Sequence, residues 1–291
     1  MHNLRFPGKI TQMRPKRAAA LRPTRGPAAV VVVILLLVGA RPASPAELQA
    51  PTVAAFDRYV QVTEQRMKND PQFLWVETLP ASEQRAVLEA LRRGELVIDR
   101  LTTRQSGKEI DIPDGMVHHW VGVVFVPGAT VDKALSLLQD YDHHSQIYAP
   151  NVAASKLLSR DGNNFRVYLR FMMKKVITVV VNSEHDARFT RDATNRASSR
   201  IYSTRIAEVE SPGTPLEREK PVANDGGYLW RLYSYWRVLE RDGGTYVQCE
   251  SISLTRDIPT GFGWLVRPFV TSIPRESLEF TLTTTRNVLR K

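Results

Sequence analysis

The chain has 291 residues, 43% of them apolar and 24% charged, with 40 basic and 30 acidic side chains for a formal charge of +10. That composition excludes a wholly disordered chain. The charge would point to nucleic acid or another anionic partner if it were evenly spread, but residues 1–46 hold eight basic residues and no acidic one. The other 245 residues keep 32 basic against 30 acidic side chains, which removes the case for nucleic acid.

Residues 28–40, AAVVVVILLLVGA, form a 13-residue apolar run after a basic segment. A membrane span needs roughly 20 apolar residues, so the run fits the core of a secretory signal. Ser44-Pro45-Ala46 then offers small residues for cleavage after Ala46. Retention of 28–40 as an inner-membrane anchor is the other reading. Both place the working domain outside the cytoplasm, periplasmic or secreted. Cys249 is the only cysteine, so no intrachain disulfide forms. A domain of this size can bury sufficient core without one.

Residues 47–115 read as a helical extension. Val53, Phe56, Tyr59, Val60, Thr63 and Met67 have helical spacing, and Pro71 stops them. Ser82 is expected to cap a second helix with Val87, Leu88 and Leu91 on one face and Gly94 at its end. From 116 the period changes. A strand at 117–126 is followed by Thr130, which caps a helix carrying Val131, Ala134, Leu135 and Leu138. Strands are then expected at 152–159, 165–173, 176–183, 198–209, 228–240 and 245–256, with turn chemistry at Asp161-Gly162, Lys174-Lys175 and Asp242-Gly243-Gly244. A Pro- and Gly-bearing polar loop occupies 211–227. The tail, 261–291, returns to helix, broken near Pro268 and Pro274, with Leu278, Leu282 and Leu289 on one stripe. Consecutive antiparallel strands with helices gathered on one face make an α+β layer fold.

The order of elements resembles the START/Bet v 1-like helix-grip superfamily of polyketide cyclases, coenzyme Q-binding proteins and lipid-transfer domains. The residues that carry the resemblance are Val131-Asp132-Lys133-Ala134-Leu135-Ser136-Leu137-Leu138 with Tyr141, Tyr148-Ala149-Pro150-Asn151-Val152, and Pro274-Arg275-Glu276-Ser277-Leu278. The run 251–259 looks like the lead into the gripping helix of the exported bacterial branch. The resemblance covers 116–291 and implies a curved antiparallel sheet wrapped around a long C-terminal helix. It implies no catalytic residue, because the superfamily has no shared catalytic set.

Alternation along the last hairpin defines two faces. One carries Trp230, Leu232, Ser234, Trp236 and Val238 with Val247, Cys249, Ser251, Ser253 and Thr255. Its bulky residues meet small ones, which either interlock as core or leave a cavity floored by hydroxyls. We take this face as concave and as the ligand face, together with Phe165, Val167, Leu169 and Phe171 upstream and Trp264 at the mouth. The other face carries Arg231, Tyr233, Tyr235 and Arg237 with Tyr246, Gln248, Glu250, Ile252 and Leu254, and an Arg237–Glu250 ion pair is expected across it. The stretch 177–181 is apolar on both faces, which suggests cover from the N-terminal helices.

His118-His119 lies on a strand, where neighbours point to opposite faces, so the pair cannot chelate together. Asp142-His143-His144 follows a helix, where an imidazolium is favoured by the dipole. No metal, phosphate-loop, dinucleotide or Gly-x-Ser-x-Gly pattern is present, so no cofactor is expected. Gly261-Phe262-Gly263-Trp264 reads as an ordinary turn before the last helix. Three functions fit: a non-catalytic binder or carrier of a lipid, quinone or isoprenoid, with transient membrane contact; a cyclase or hydrolase using Tyr, Arg and Glu in the same cavity; and a structural protein whose cavity is filled by side chains.

Overall fold

The computed structural model describes residues 46–174, 178–257 and 263–291, with backbone alone for 263–271. The leader, 1–45, including the expected signal run, lies outside the described residues.

Helix α1 (Ala50–Asn69) buries Phe56, Tyr59, Val60 and Thr63 on the predicted stripe. Helix α2 (Ala81–Arg92) begins one residue before Ser82, with Pro80 at the N-cap position and no side-chain cap. Gly94, at φ +88°, closes it in the left-handed conformation that a Cβ disfavours. Strand β1 (Val97–Arg100) follows, then the long β2 (Gly115–Pro127). Thr130 accepts a hydrogen bond from the Lys133 backbone at 3.2 Å and caps α3 (Val131–Gln139) as expected. The remaining strands are β3 (Val152–Asp161), β4 (Asn164–Lys174), β5 (Thr178–Ala193), β6 (Arg196–Glu210), β7 (Arg231–Arg241) and β8 (Gly244–Arg256). Helix α4 (Gly263–Leu289) ends the chain. It runs through Pro268 and Pro274 as one helix, where a break had been expected.

The eight strands pair antiparallel in the order β1-β2-β8-β7-β6-β5-β4-β3, and the two-residue strand Arg218–Glu219 adds to β6. Chain order would put β2 beside β3; instead β2 closes against β8 over 13 residue pairs. Ile98 and Val124 from one end of the sheet and Leu157 and Phe165 from the other share one apolar cluster with Leu278, Leu282 and Leu289 of α4. A flat sheet could not bring these together, so the sheet curls round the helix: a helix-grip α+β fold. Gly122 marks the closest approach. A Cβ there would lie 2.5 Å from Leu282 Cδ1 and 3.2 Å from Ile98 Cγ1.

The N-terminal extension is not purely helical, because β1 is an edge strand of the main sheet. Its helices cover the convex face. Phe56, Tyr59 and Val60 pack on Tyr235, Ile252 and Leu254, while Leu74, Val76 and Leu91 pack on Val123, Phe125 and Tyr246. Beside the stretch for which cover was expected, the link between β6 and β7 meets the convex face. There Asn182 donates to Glu219 at 2.9 Å, and Arg170 beside it on β4 reaches Glu217 at 2.9 Å.

Candidate functional site

The concave face and α4 enclose the candidate site. Trp236, Val238, Val247 and Cys249 of the last hairpin face α3 and α4 and join Phe165, Val167, Ala187 and Phe189 in one buried cluster. Leu282 sits by Gly122, and the Arg286 guanidinium bonds the Gly94 carbonyl beyond β1. These contacts orient α4 along β2, so its earlier turns lie toward the His118 end of the sheet.

The concave face changes character along its length. The end nearest α3 is apolar. Toward His118 it carries Ser251, Ser253 and Thr255 on β8, Leu232 and Ser234 on β7, Ser203 on β6, and Ser183 and His185 on β5, as the strand registers require. His118 lies 3.1 Å from Thr255 Oγ1 through Nε2, and Ser203 Oγ accepts the Leu232 backbone N–H at 3.0 Å. Leu169 and Phe171 are half-buried on β4, and the Phe171 ring stands edge-on to His185, 6.2 Å between centroids.

Three buried polar atoms on this side have no hydrogen-bond partner: Tyr141 Oη, Ser199 Oγ and His185 Nδ1. Ser199 sits between Trp236 and Phe189 in register. Tyr141 packs on Phe165 and His144. His185 spends Nε2 on Ser183 Oγ at 2.9 Å, and Ser183 in turn donates to the Leu169 carbonyl. Asp225 Oδ2 and Arg286 Nε are likewise unpartnered elsewhere among the described residues. Burial holds His118 and His185 down at about 4, so both are neutral near pH 7. It raises the Cys249 thiol far above its usual value, leaving an unreactive side chain.

The sequence-predicted ligand residues therefore divide. Phe165, Val167, Leu169, Phe171, Leu232, Ser234, Trp236, Cys249, Ser251 and Ser253 share the concave face. Trp230 does not. It precedes Arg231, the first paired residue of β7, so strand alternation does not reach it; it joins the α1 cluster, with its indole N–H 3.3 Å from Asp225 Oδ1. The Trp264 side chain and the Gly261-Phe262 turn lie outside the described residues.

The convex face holds the Tyr, Arg and Glu set under α1, on the side of the sheet away from α4. Arg237 faces Gln248, not Glu250, and donates to the Phe73 carbonyl at 2.6 Å, so the expected cross-strand pair is replaced. Glu250 instead takes the Arg66 guanidinium and lies 2.8 Å from His119 Nε2. Tyr59 Oη accepts the Thr103 backbone N–H at 2.9 Å and directs its own proton at His119 Nδ1, 2.9 Å away. That order leaves the Nε2–H of a neutral imidazole for Glu250. Burial pushes the Glu250 carboxyl up, but the His119 hydrogen bond and Arg66 outweigh it and hold it below the usual range. The two neighbouring histidines thus sit on opposite faces. After α3, His143 is raised by its 2.7 Å bond to Asp140, while burial pushes its neighbour His144 down to about 4, against the dipole expectation. Among the described residues no cluster of metal-ligating side chains forms.

No protein-family model matches the chain, and a search of curated proteins finds no match. Solved structures do match. A STAR-related lipid transfer protein fragment from Xanthomonas axonopodis is 18% identical, with 66% of this chain and 99% of that one covered and a TM-score of 0.43. The Zhui aromatase/cyclase from Streptomyces sp. R1128 is 14% identical over 60% and 94%, TM-score 0.41. A START superfamily protein from Mycobacterium smegmatis is 12% identical over 60% and 96%, TM-score 0.37. At these values no residue's role transfers, and the helix-grip assignment rests on the strand order and the helix that the sheet encloses.

Proposed function

We propose that the protein binds or carries an apolar molecule, of the lipid, quinone or isoprenoid kind, between the concave face and α4, and that it does so outside the cytoplasm. The observation that carries this is the set of orphaned polar atoms, Tyr141 Oη, Ser199 Oγ and His185 Nδ1, buried along a face that is apolar at one end and hydroxyl-bearing at the other. A buried hydroxyl or imidazole nitrogen without a partner costs about 1–3 kcal/mol, a cost that a bound polar group removes. His185 pairs with Ser203, four residues from Ser199 along β6. At roughly 3.3 Å per residue the two orphans stand about 13 Å apart, which suits an elongated molecule with polar atoms along an apolar body. Burial of that body would supply the affinity at roughly 25 cal/mol per Å². Export is supported by the apolar run 28–40 behind its basic segment.

The test is to purify the protein from a host with a comparable envelope, extract it with organic solvent and identify what is released by mass spectrometry. A stoichiometric apolar molecule is expected. Its absence, together with no thermal stabilisation by added lipids, quinones or isoprenoids, would overturn the proposal.

A further inference from the structure

The β6–β7 link, residues 211–230, leaves the sheet at the end where β2 starts, β8 finishes and α4 follows. It holds three of the four large apolar side chains exposed among the described residues: Leu216 at 77%, Val222 at 46% and Tyr228 at 41%. The link is fastened, not loose. Buried Glu208 accepts from the Gly226 and Tyr228 backbones at 2.9 and 3.0 Å and from Lys220 Nζ at 3.0 Å. Most of its charges are already paired: Glu217 with Arg170, Glu219 with Arg205, Arg218 with Glu210 and Lys220 with Glu208. The outward surface is therefore apolar side chains among neutralised ions, a surface suited to the headgroup–acyl boundary more than to a charged partner.

A second observation says what covers it. Ala46–Glu47 pairs antiparallel with Asn224–Asp225, and the Leu48 N–H donates to the Ala223 carbonyl at 2.7 Å. The N-terminal segment thus joins the fold on this same link. Only residues 41–45 separate it from the 13-residue apolar run, and five residues reach at most about 18 Å. This inference rests on the retained-anchor reading of 28–40: with the run kept and held in a bilayer, the link stands at the bilayer surface. A few inserted side chains bind weakly alone, but a short tether raises their effective concentration to the millimolar range.

We propose that the 211–230 link docks on a lipid bilayer by inserting Leu216 and Val222, with Tyr228 at the boundary, and so turns the α4-leading end of the grip toward the membrane. The test uses the full chain in phosphatidylcholine vesicles, with a fluorophore on Leu216→Cys or Val222→Cys, and on Leu158→Cys as control. Leu158 is 42% exposed on the edge strand β3, three strands from β6 and outside the link, and buried Cys249 does not react. Brominated phosphatidylcholine should quench labels at 216 and 222 several-fold more than at 158, and added salt should not reverse it. Changing Val222→Asp should lower quenching at 216 while the circular dichroism stays native. Equal quenching at 216 and 158, or none at either, would overturn the proposal. So would a 216 label shielded without vesicles in proportion to protein concentration, which would mean a second copy covers the link.

Discussion

The convex face of the sheet carries a buried acid, Glu250, and a histidine, His119, which form one hydrogen-bonded chain with Tyr59 and Arg66 of α1 and the Thr103 backbone N–H. On the concave side, His185 and Ser199 of the sheet and Tyr141 of the turn after α3 each have an unfilled bond. Buried residues lie on both surfaces, so burial alone does not separate them. The difference lies in what each is complementary to. The convex face is complete once α1 has docked, and its polar groups fix that helix in place. The concave side is not complete in this sense: three of its buried polar atoms find no partner among the described residues.

The comparison can be broken at several points. Acidification should have the largest effect, because three histidines act together. His118, His144 and His185 titrate at about 4 in the folded chain against 6.5 when free. The unfolded chain then binds more protons, so stability is full above pH 6.5 and falls as pH drops toward 4, by about 1–3 kcal/mol per histidine. Asp225, pushed up to about 6 by burial and then by Glu208, and exposed His143, raised by Asp140, act in the opposite direction, but they are two groups against three. Urea midpoints at pH 7, 5 and 4 would show the decline; a flat profile would mean the imidazoles are not buried neutral. Among substitutions in the network, Glu250→Ala should cost about 1–3 kcal/mol in urea unfolding, because it leaves the buried His119 donor without an acceptor while the half-exposed Arg66 turns to water; no measurable loss would show that the network does not hold α1. On the concave side, Trp236→Ala should weaken retention of the extracted molecule about tenfold, or 1.4 kcal/mol, whereas exposed Arg166→Ala should leave it unchanged. Equal effects would dispose of the concave face as the ligand face. The smallest effect is reserved for His185→Leu, within about 1 kcal/mol of wild type in ligand-free protein. Its neighbour Ser183 keeps its carbonyl partner, and the orphan nitrogen is removed with the ring.

Period-two alternation and turn chemistry were sufficient to find every long strand from β2 to β8 and the face that meets α4. They cut β5 short at Ser183, because Glu184, Asp186 and Arg188 alternate with His185, Ala187 and Phe189 in a stretch whose charged residues look like loop. They missed β1, whose four residues carry no pattern of their own and are ordered by pairing with β2. Pro268 and Pro274 suggested a break, yet the helix is held by Leu278, Leu282 and Leu289 against the sheet, and tertiary packing overrode the local preference. Trp230 was assigned by counting twos past the last ladder pair, where the count has no physical basis. The partners of Glu250 lie 131 and 184 positions away in sequence, so no local pattern could have identified them. The signal for the orphans was weaker still: nothing in a lone serine or tyrosine says whether its hydroxyl will find a partner.

The two ends of the sheet have a consequence for life at high concentration. An open sheet offers unpaired backbone at each border, a template for another chain to extend. Here β1 is only four residues long and finishes in Asp99 and Arg100. At the other border β3 slips register twice against β4, between Val152 and Ala154 and between Leu157 and Ser159, and it presents Lys156, Arg160 and Asp161 outward. A straight partner strand cannot follow that path without leaving bonds unmade or bringing charges together. The protein can therefore keep a wide, strongly apolar sheet without inviting its neighbours to polymerise along it.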